Sequence, residues 1–145
     1  MYDDVVTVFN YHEKTGSWYT TVFSGADLHE VSADSATAGS GITNSDSVEL
    51  IIHVSPDKVA RTDGSEVQYL PPRAYSVLDD PNGFYTFKPE TDFFTVGDQA
   101  ADTPIIDDDY DEGYYHALND EQDGVYMITS AAFFSLLPHF EIGGR

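Results

Sequence analysis

The chain has 145 residues and a mass of 16.0 kDa, a length that supports one domain with one buried core. Its 41% hydrophobic and 14% aromatic content excludes a disordered acidic tail, and the absence of cysteine excludes disulfides, thiol nucleophiles and thiolate metal sites. Twenty-six acidic residues against six basic ones leave a net charge of -20, which repels nucleic acid and anionic membranes and opposes compactness unless it is screened; a salt-rich medium, a basic partner, or a place beside DNA without gripping it each accommodates such a charge.

In chain order, Val5 to Tyr11 and Trp18 to Phe23 are rich in Val, Thr and aromatics and are separated by Glu13-Lys14-Thr15-Gly16, which predicts a hairpin with a glycine-containing loop. Both faces of the first strand carry bulky groups, Val5, Phe9 and Tyr11 on one and Val6 and Val8 on the other, so it belongs in a closed barrel, a sandwich or an interface. Ser32 to Asp46 is almost wholly small and polar, with Ile42 its one large apolar residue, and reads as a long loop. Val48, Leu50, Ile52 and Val54 then alternate with Glu49, Ile51 and His53, the pattern of a strand with one buried face.

A second irregular stretch runs from Ser55 to Pro72 and is followed by a turn at Asp79-Asp80-Pro81-Asn82-Gly83. Phe84 to Phe87 and Phe93 to Val96 predict a short pair of strands around Pro89. The segment 98–123 holds much of the acid, and Tyr110, Tyr114 and Tyr115 are placed to pin a short helix or turn within it. Val125 to Ser130 and Leu136 to Ile142 are the closing strands. The expected fold is therefore all-β, a small barrel or sandwich spanning residues 1–145 as a single domain, with loops at about 32–46, 55–72 and 98–123. No apolar run is long enough for a membrane-spanning helix, and Met1-Tyr2-Asp3-Asp4 lacks the basic and apolar regions of a secretory signal.

Motifs for chemistry are few. The five histidines, 12, 29, 53, 116 and 139, form no pair at metal-ligand spacing. The run from Asp107 through Asp109 and Asp111 begins like an EF-hand loop, but the required glycine comes one residue late, at Gly113, and the twelfth position is Leu118. No nucleophile elbow, phosphate loop or dinucleotide fingerprint is present, so neither enzyme activity nor a metal or other cofactor is expected. Two surfaces stand out. Lys58, Arg61 and Arg73, half of all the basic residues, lie with Tyr69 and Leu70 in or beside the second irregular stretch; with Ile42 they are candidates for contact with an acidic neighbour. Asp107, Asp108, Asp109, Asp111 and Glu112 form a candidate acidic surface. Trp18 and the tyrosines are a candidate aromatic platform.

Several weak landmarks occur in one order: Val5 with Thr7 to Asn10, Trp18-Tyr19 with Thr21-Val22, Gly25 with Asp27, Ser40-Gly41-Ile42, Asp46 to Val48, Phe84 to Pro89 leading to Asp92 to Phe94, Ile128 to Ser130, and His139 to Arg145. In that order they resemble the head-closure (stopper) and minor capsid proteins of the head–tail neck of long-tailed phages, although this chain is more acidic than that family. The resemblance implies a small β-barrel that assembles as a homo-oligomeric ring between a portal-side adaptor and the tail proteins. It implies a virion location after synthesis in the host cytoplasm, and DNA passing through the channel without specific binding. An acidic lumen suits that passage because like charge prevents ion pairing with phosphates. Two other readings fit parts of the sequence: an acidic DNA mimic that occupies the basic groove of a nucleic-acid enzyme, and a carbohydrate-binding module or small hydrolase built on the aromatic platform.

Eighteen aspartates against three lysines is also the balance of a salt-adapted protein. Thermal unfolding followed from low to molar salt is expected to show a rising midpoint as the self-repulsion is screened; an unchanged midpoint would discard salt adaptation.

Overall fold

The computed structural model of the protein describes residues 4–30, 47–54, 59–60 and 66–145. The strands are β1 (Asp4–His12), β2 (Ser17–Glu30), β3 (Val48–Ile52), β4 (Val59–Ala60), β5 (Glu66–Tyr69), β6 (Phe84–Tyr85), β7 (Phe93–Val96), β8 (Ile105–Ile106), β9 (Val125–Phe134) and β10 (His139–Gly144). Two helices, α1 (Pro72–Ser76) and α2 (Tyr114–Glu121), accompany the strands. Neighbours run β1-β7-β9-β10-β3-β2, and β2 pairs again with β1, which closes a six-stranded antiparallel barrel; β8 is added to the start of β2.

β1 and β2 pair from Val6 opposite Phe23 to His12 opposite Ser17, and the four residues between them form the expected turn, closed by Gly16 N–H donating to the His12 carbonyl at 2.8 Å. One extra residue lies on β2 between the Asp4–Ala26 and Val6–Phe23 pairs. Gly25 sits there at φ 66°, the left-handed conformation that favours glycine in a bulge. The bulge divides β2 into a half paired with β1 and a half, Asp27 to Glu30, paired with β3, so one strand turns the corner of the barrel.

The interior is filled by alternate residues: Val6 and Val8 of β1, Phe23 of β2, Leu50 and Ile52 of β3, Phe94 of β7, Ile128 of β9 and Phe140 and Ile142 of β10, all buried. β3 follows the predicted alternation, with Val54 packed against the core and Glu49 and His53 exposed. A second three-stranded sheet, β4-β5-β6, adds Val67 and Tyr85 to the same core, and the segment after it adds Phe87. It occupies part of the stretch expected to be irregular, of which residues 55–58 and 61–65 lie outside the described residues, as does the loop expected at 32–46.

The outer face of β1 is apolar because it too is covered. Phe9 stacks on Phe93 with ring centroids 4.5 Å apart and planes 7° from parallel, and Trp18, Leu118 and Val125 complete this smaller cluster, with Tyr11, Tyr114 and Tyr115 at its margin. Stacked aromatic pairs of this kind add about 0.5–1.5 kcal/mol beyond their burial. The segment 98–123, expected as a loop, thus contains β8, a single 3-10 turn at Asp107–Asp109 and α2, and its tyrosines pin the helix as expected.

One predicted pairing is corrected. Phe84 to Phe87 and Phe93 to Val96 do not pair with each other: β6 runs parallel to β5, Tyr85 opposite Tyr69, while β7 lies between β1 and β9. The reason is Asp92, a fully buried carboxylate. Its Oδ1 accepts from Tyr11 N–H at 2.9 Å, and its Oδ2 accepts from Lys88 N–H and Asn10 Nδ2, each at 2.9 Å. Asp92 N–H in turn donates to the Lys88 carbonyl at 3.0 Å, so the chain is wound into a tight turn where a hairpin would need extended backbone.

Burial pushes the Asp92 carboxyl up to about 7, against the pull of its three N–H donors and of Lys88. A carboxyl raised in the folded state binds its proton more tightly there than in the unfolded chain, so that contribution is complete below about pH 4 and lost as pH climbs to 7. Relative to Asp92→Asn, the wild-type protein is expected to lose on the order of 2–4 kcal/mol of stability across that window; denaturant unfolding at several pH values measures it, and a flat or rising difference would overturn it.

Candidate functional site

Of the residues singled out as a contact arm, Lys58, Arg61 and Ile42 lie outside the described residues. The other three are brought close along the chain but face different surroundings. Tyr69 turns its ring into the barrel's end, 5.0 Å from Phe140 and 5.6 Å from Tyr85 between centroids, and burial raises its phenol above the usual tyrosine range. Leu70, half-buried, donates its N–H to the Tyr85 carbonyl at 2.9 Å. Arg73 is exposed on α1, so it is the member of this trio whose charge is open to solvent.

The acidic group also divides. Asp108, Asp109, Asp111 and Glu112 are exposed. Asp107 instead ties the second cluster together, its Oδ1 accepting from Trp18 Nε1 at 2.8 Å and from Tyr114 N–H at 2.9 Å. This supplies an acceptor to the first turn of α2, whose backbone donors otherwise have no partner within the helix. Gly113 precedes the helix at φ 89°, and a Cβ there would meet Asp107 Oδ1 at 3.2 Å, so glycine satisfies both backbone and space. No local spacing marks Asp107 off from its acidic neighbours; the distinguishing signal is an indole N–H that must find an acceptor when its ring is buried.

These contacts leave a groove of about 290 Å³ beside α2. Its lining combines aromatic residues, Tyr11 and the buried Trp18 with centroids 5.1 Å apart and Tyr115, with the acidic residues Glu90, Asp107 and Glu112. Glu90 has a left-handed backbone, φ 66°, unusual for a residue with a side chain. Its N–H donates to the Ile128 carbonyl at 2.7 Å, which fixes its place on the Asp92 turn. Burial, then the negative charges of Asp107, Asp108 and Glu13, lift the Tyr11 phenol above its ordinary range. Trp18, anticipated as part of an aromatic platform, is buried at 5% exposure, and Glu90 and Tyr11 reach the groove through long-range folding that spacing does not disclose.

Two of the histidines meet, His53 and His139 with ring centroids 6.0 Å apart. His12 is buried against Tyr75, ring centroids 5.5 Å apart, and burial lowers its affinity for a proton. His139 is raised by its hydrogen bond to Glu141. Among the described residues no group of three His, Asp or Glu side chains converges as metal ligands would, and no helix is long and apolar enough to cross a membrane.

A further surface lies at the β9–β10 hairpin. β9 pairs with β7 through Val125 to Met127 and with β10 as far as Phe134, so no strand among the described residues pairs with the other edge of Thr129 to Phe134. Leu136 and Leu137 at the tip are 93% and 77% exposed, and Phe133 and Phe134 below them 37% and 45%.

Asp107→Ala is expected to lower stability by about 1.5–3 kcal/mol, the range for hydrogen bonds to a charged group, and to shift the emission of Trp18, the chain's one tryptophan, to the red. Asp108→Ala should stay within about 0.5 kcal/mol as an exposed substitution. Denaturant unfolding monitored by fluorescence separates the two, and equal effects would remove the distinction drawn between these neighbours.

No curated protein and no solved structure matches the chain. Over its residues 1–145 it matches, and belongs to, the family of unknown function DUF6751.

Proposed function

We propose that the protein is a structural ring subunit of the head–tail neck of a long-tailed phage, closing the head and joining it to the tail while leaving a channel for DNA. The observation that carries this reading is the β9–β10 hairpin. A closed barrel needs no other strand to complete its core, yet this one extends a finger whose large apolar side chains, Leu136 and Leu137, are almost fully exposed. An unpaired, apolar strand edge is a liability in a free monomer and an asset in a subunit that meets neighbours in a ring. The neighbours in this reading are further copies of the chain, a portal-side adaptor and the tail proteins. The role is structural and not catalytic, and the subunit is made in the host cytoplasm before incorporation in the virion.

The surface charge supports the same reading. Asp108, Asp109, Asp111 and Glu112 are all exposed, and a channel bordered by such residues passes DNA without holding its phosphates. That exposed run also supports a second reading, an acidic DNA mimic that occupies the basic groove of a nucleic-acid enzyme.

Mass spectrometry of purified particles, separated into complete virions and tailless heads, tests the proposal. The protein is expected at a few to a dozen or so copies per particle, on the order of a ring's stoichiometry, and its absence from particles would discard the structural reading in favour of the mimic. Leu136→Asp with Leu137→Asp is expected to leave monomer stability within about 0.5 kcal/mol, because both side chains are exposed, while heads fail to acquire tails. Normal tail attachment by this variant would separate the hairpin from assembly.

A further inference from the structure

The groove beside α2 combines features that recognise one chemical class. Tyr11 and Tyr115, both half-buried, supply aromatic surface beside the buried Trp18, and Glu90 and Glu112, both exposed, supply carboxylates to the lining of the same 290 Å³ space. Aromatic faces attract cations through their quadrupole, and a guanidinium adds planar stacking and a fork of donors that fits a carboxylate. Asp107 is already committed to Trp18 Nε1 and the Tyr114 N–H, which leaves Glu90 and Glu112 to meet a ligand. Glu90 is held in place by the turn around Asp92 and the Ile128 carbonyl, and Gly113 keeps the floor free of a side chain.

The charges around the groove agree. Asp108 and Glu13 add to the negative field felt at Tyr11. Arg145, whose charge reaches Tyr115, does not line the space. The first turn of α2, which would repel a cation, has a carboxylate on its leading N–H. A chain with 26 acidic and six basic residues draws its complement from outside.

We infer that this groove is a binding site for an arginine side chain presented by a basic segment of a partner protein, held by the Tyr11 and Tyr115 rings and the Glu90 and Glu112 carboxylates. The inference does not depend on the neck assignment, since it rests on the groove alone.

Trp18 lies in the wall and is the chain's one tryptophan, so its emission reports occupancy. The folded full-length protein is titrated with a short peptide bearing two arginines and with the same peptide carrying citrulline, which keeps the shape and loses the charge. A saturable change in Trp18 emission is expected for the arginine peptide, at least tenfold tighter than for citrulline. Glu90→Gln and Glu112→Gln should each weaken it by about three- to tenfold, on the scale of a charge-assisted contact near the surface. Asp98→Asn with Asp123→Asn removes two charges outside the groove and should leave binding within twofold, with unfolding curves confirming that every variant is folded. Equal binding of the citrulline peptide, equal loss in the remote variant, or a response to calcium chloride but not to the arginine peptide would each overturn the inference.

Discussion

A closed barrel asks every strand to pair on both edges, and β1 does so while burying both of its faces. Its edges are taken by β2 and β7, its inner residues Val6 and Val8 enter the main core, and its outer residue Phe9 anchors the smaller one. The outer threonine, Thr7, works as well: its Oγ1 donates to the Gly97 carbonyl at 2.7 Å and accepts from Gln99 N–H at 2.8 Å. From β1 outward the rest follows. Its last residues hold the Asp92 turn, that turn sets the direction of β7, and Phe9 with Phe93 creates the surface that α2 must cover.

The parts of this arrangement visible in the sequence are those with a local period. Alternation placed β3, and the turn at residues 13–16 placed the β1–β2 hairpin, because each depends on neighbours along the chain. Bulk on both faces of β1 correctly pointed to enclosure on both sides. Three tyrosines in an acidic tract pointed to a short helix or turn, because bulky rings spaced within a few residues need a common surface to pack on. The parallel β5–β6 pairing was hidden because it joins Tyr69 to Tyr85 across α1 and the turn at residues 79–83, and the Asp92 turn because an aspartate between Thr91 and Phe93 looks like any exposed turn residue until its three donors are brought in from β1 and the Lys88 turn. The candidate site is split in the same way. Exposure of Arg73 and of Asp108, Asp109 and Asp111 agrees with their charge, whereas the bond of Asp107 to Trp18 and the burial of Tyr69 against Tyr85 and Phe140 come from partners more than ten residues distant.

The surplus of carboxylates also has an internal logic. With so few cations, the chain satisfies acid with N–H groups: Asp4 accepts from Leu28 N–H, Asp80 from Asn82 N–H, Asp98 from Ala100 N–H, and Asp92 and Asp107 from two or more donors each. Such bonds serve turns and strand ends and do not call for a basic partner within the molecule. The protein thereby keeps its negative field for the outside while several aspartates shape the fold.

The position of the β9–β10 finger has a mechanical consequence. β10 is clasped between β9 and β3 along its length, and the hydrogen bonds of antiparallel strands lie across the strand direction. Tension applied at Leu136 and Leu137 along the finger moves β9 and β10 together and therefore loads the β10–β3 and β9–β7 ladders in shear, all bonds together, and does not peel them one at a time. The same barrel wall that buries Phe140 and Ile142 thus becomes a tether, and its strength grows with the number of rungs engaged at once.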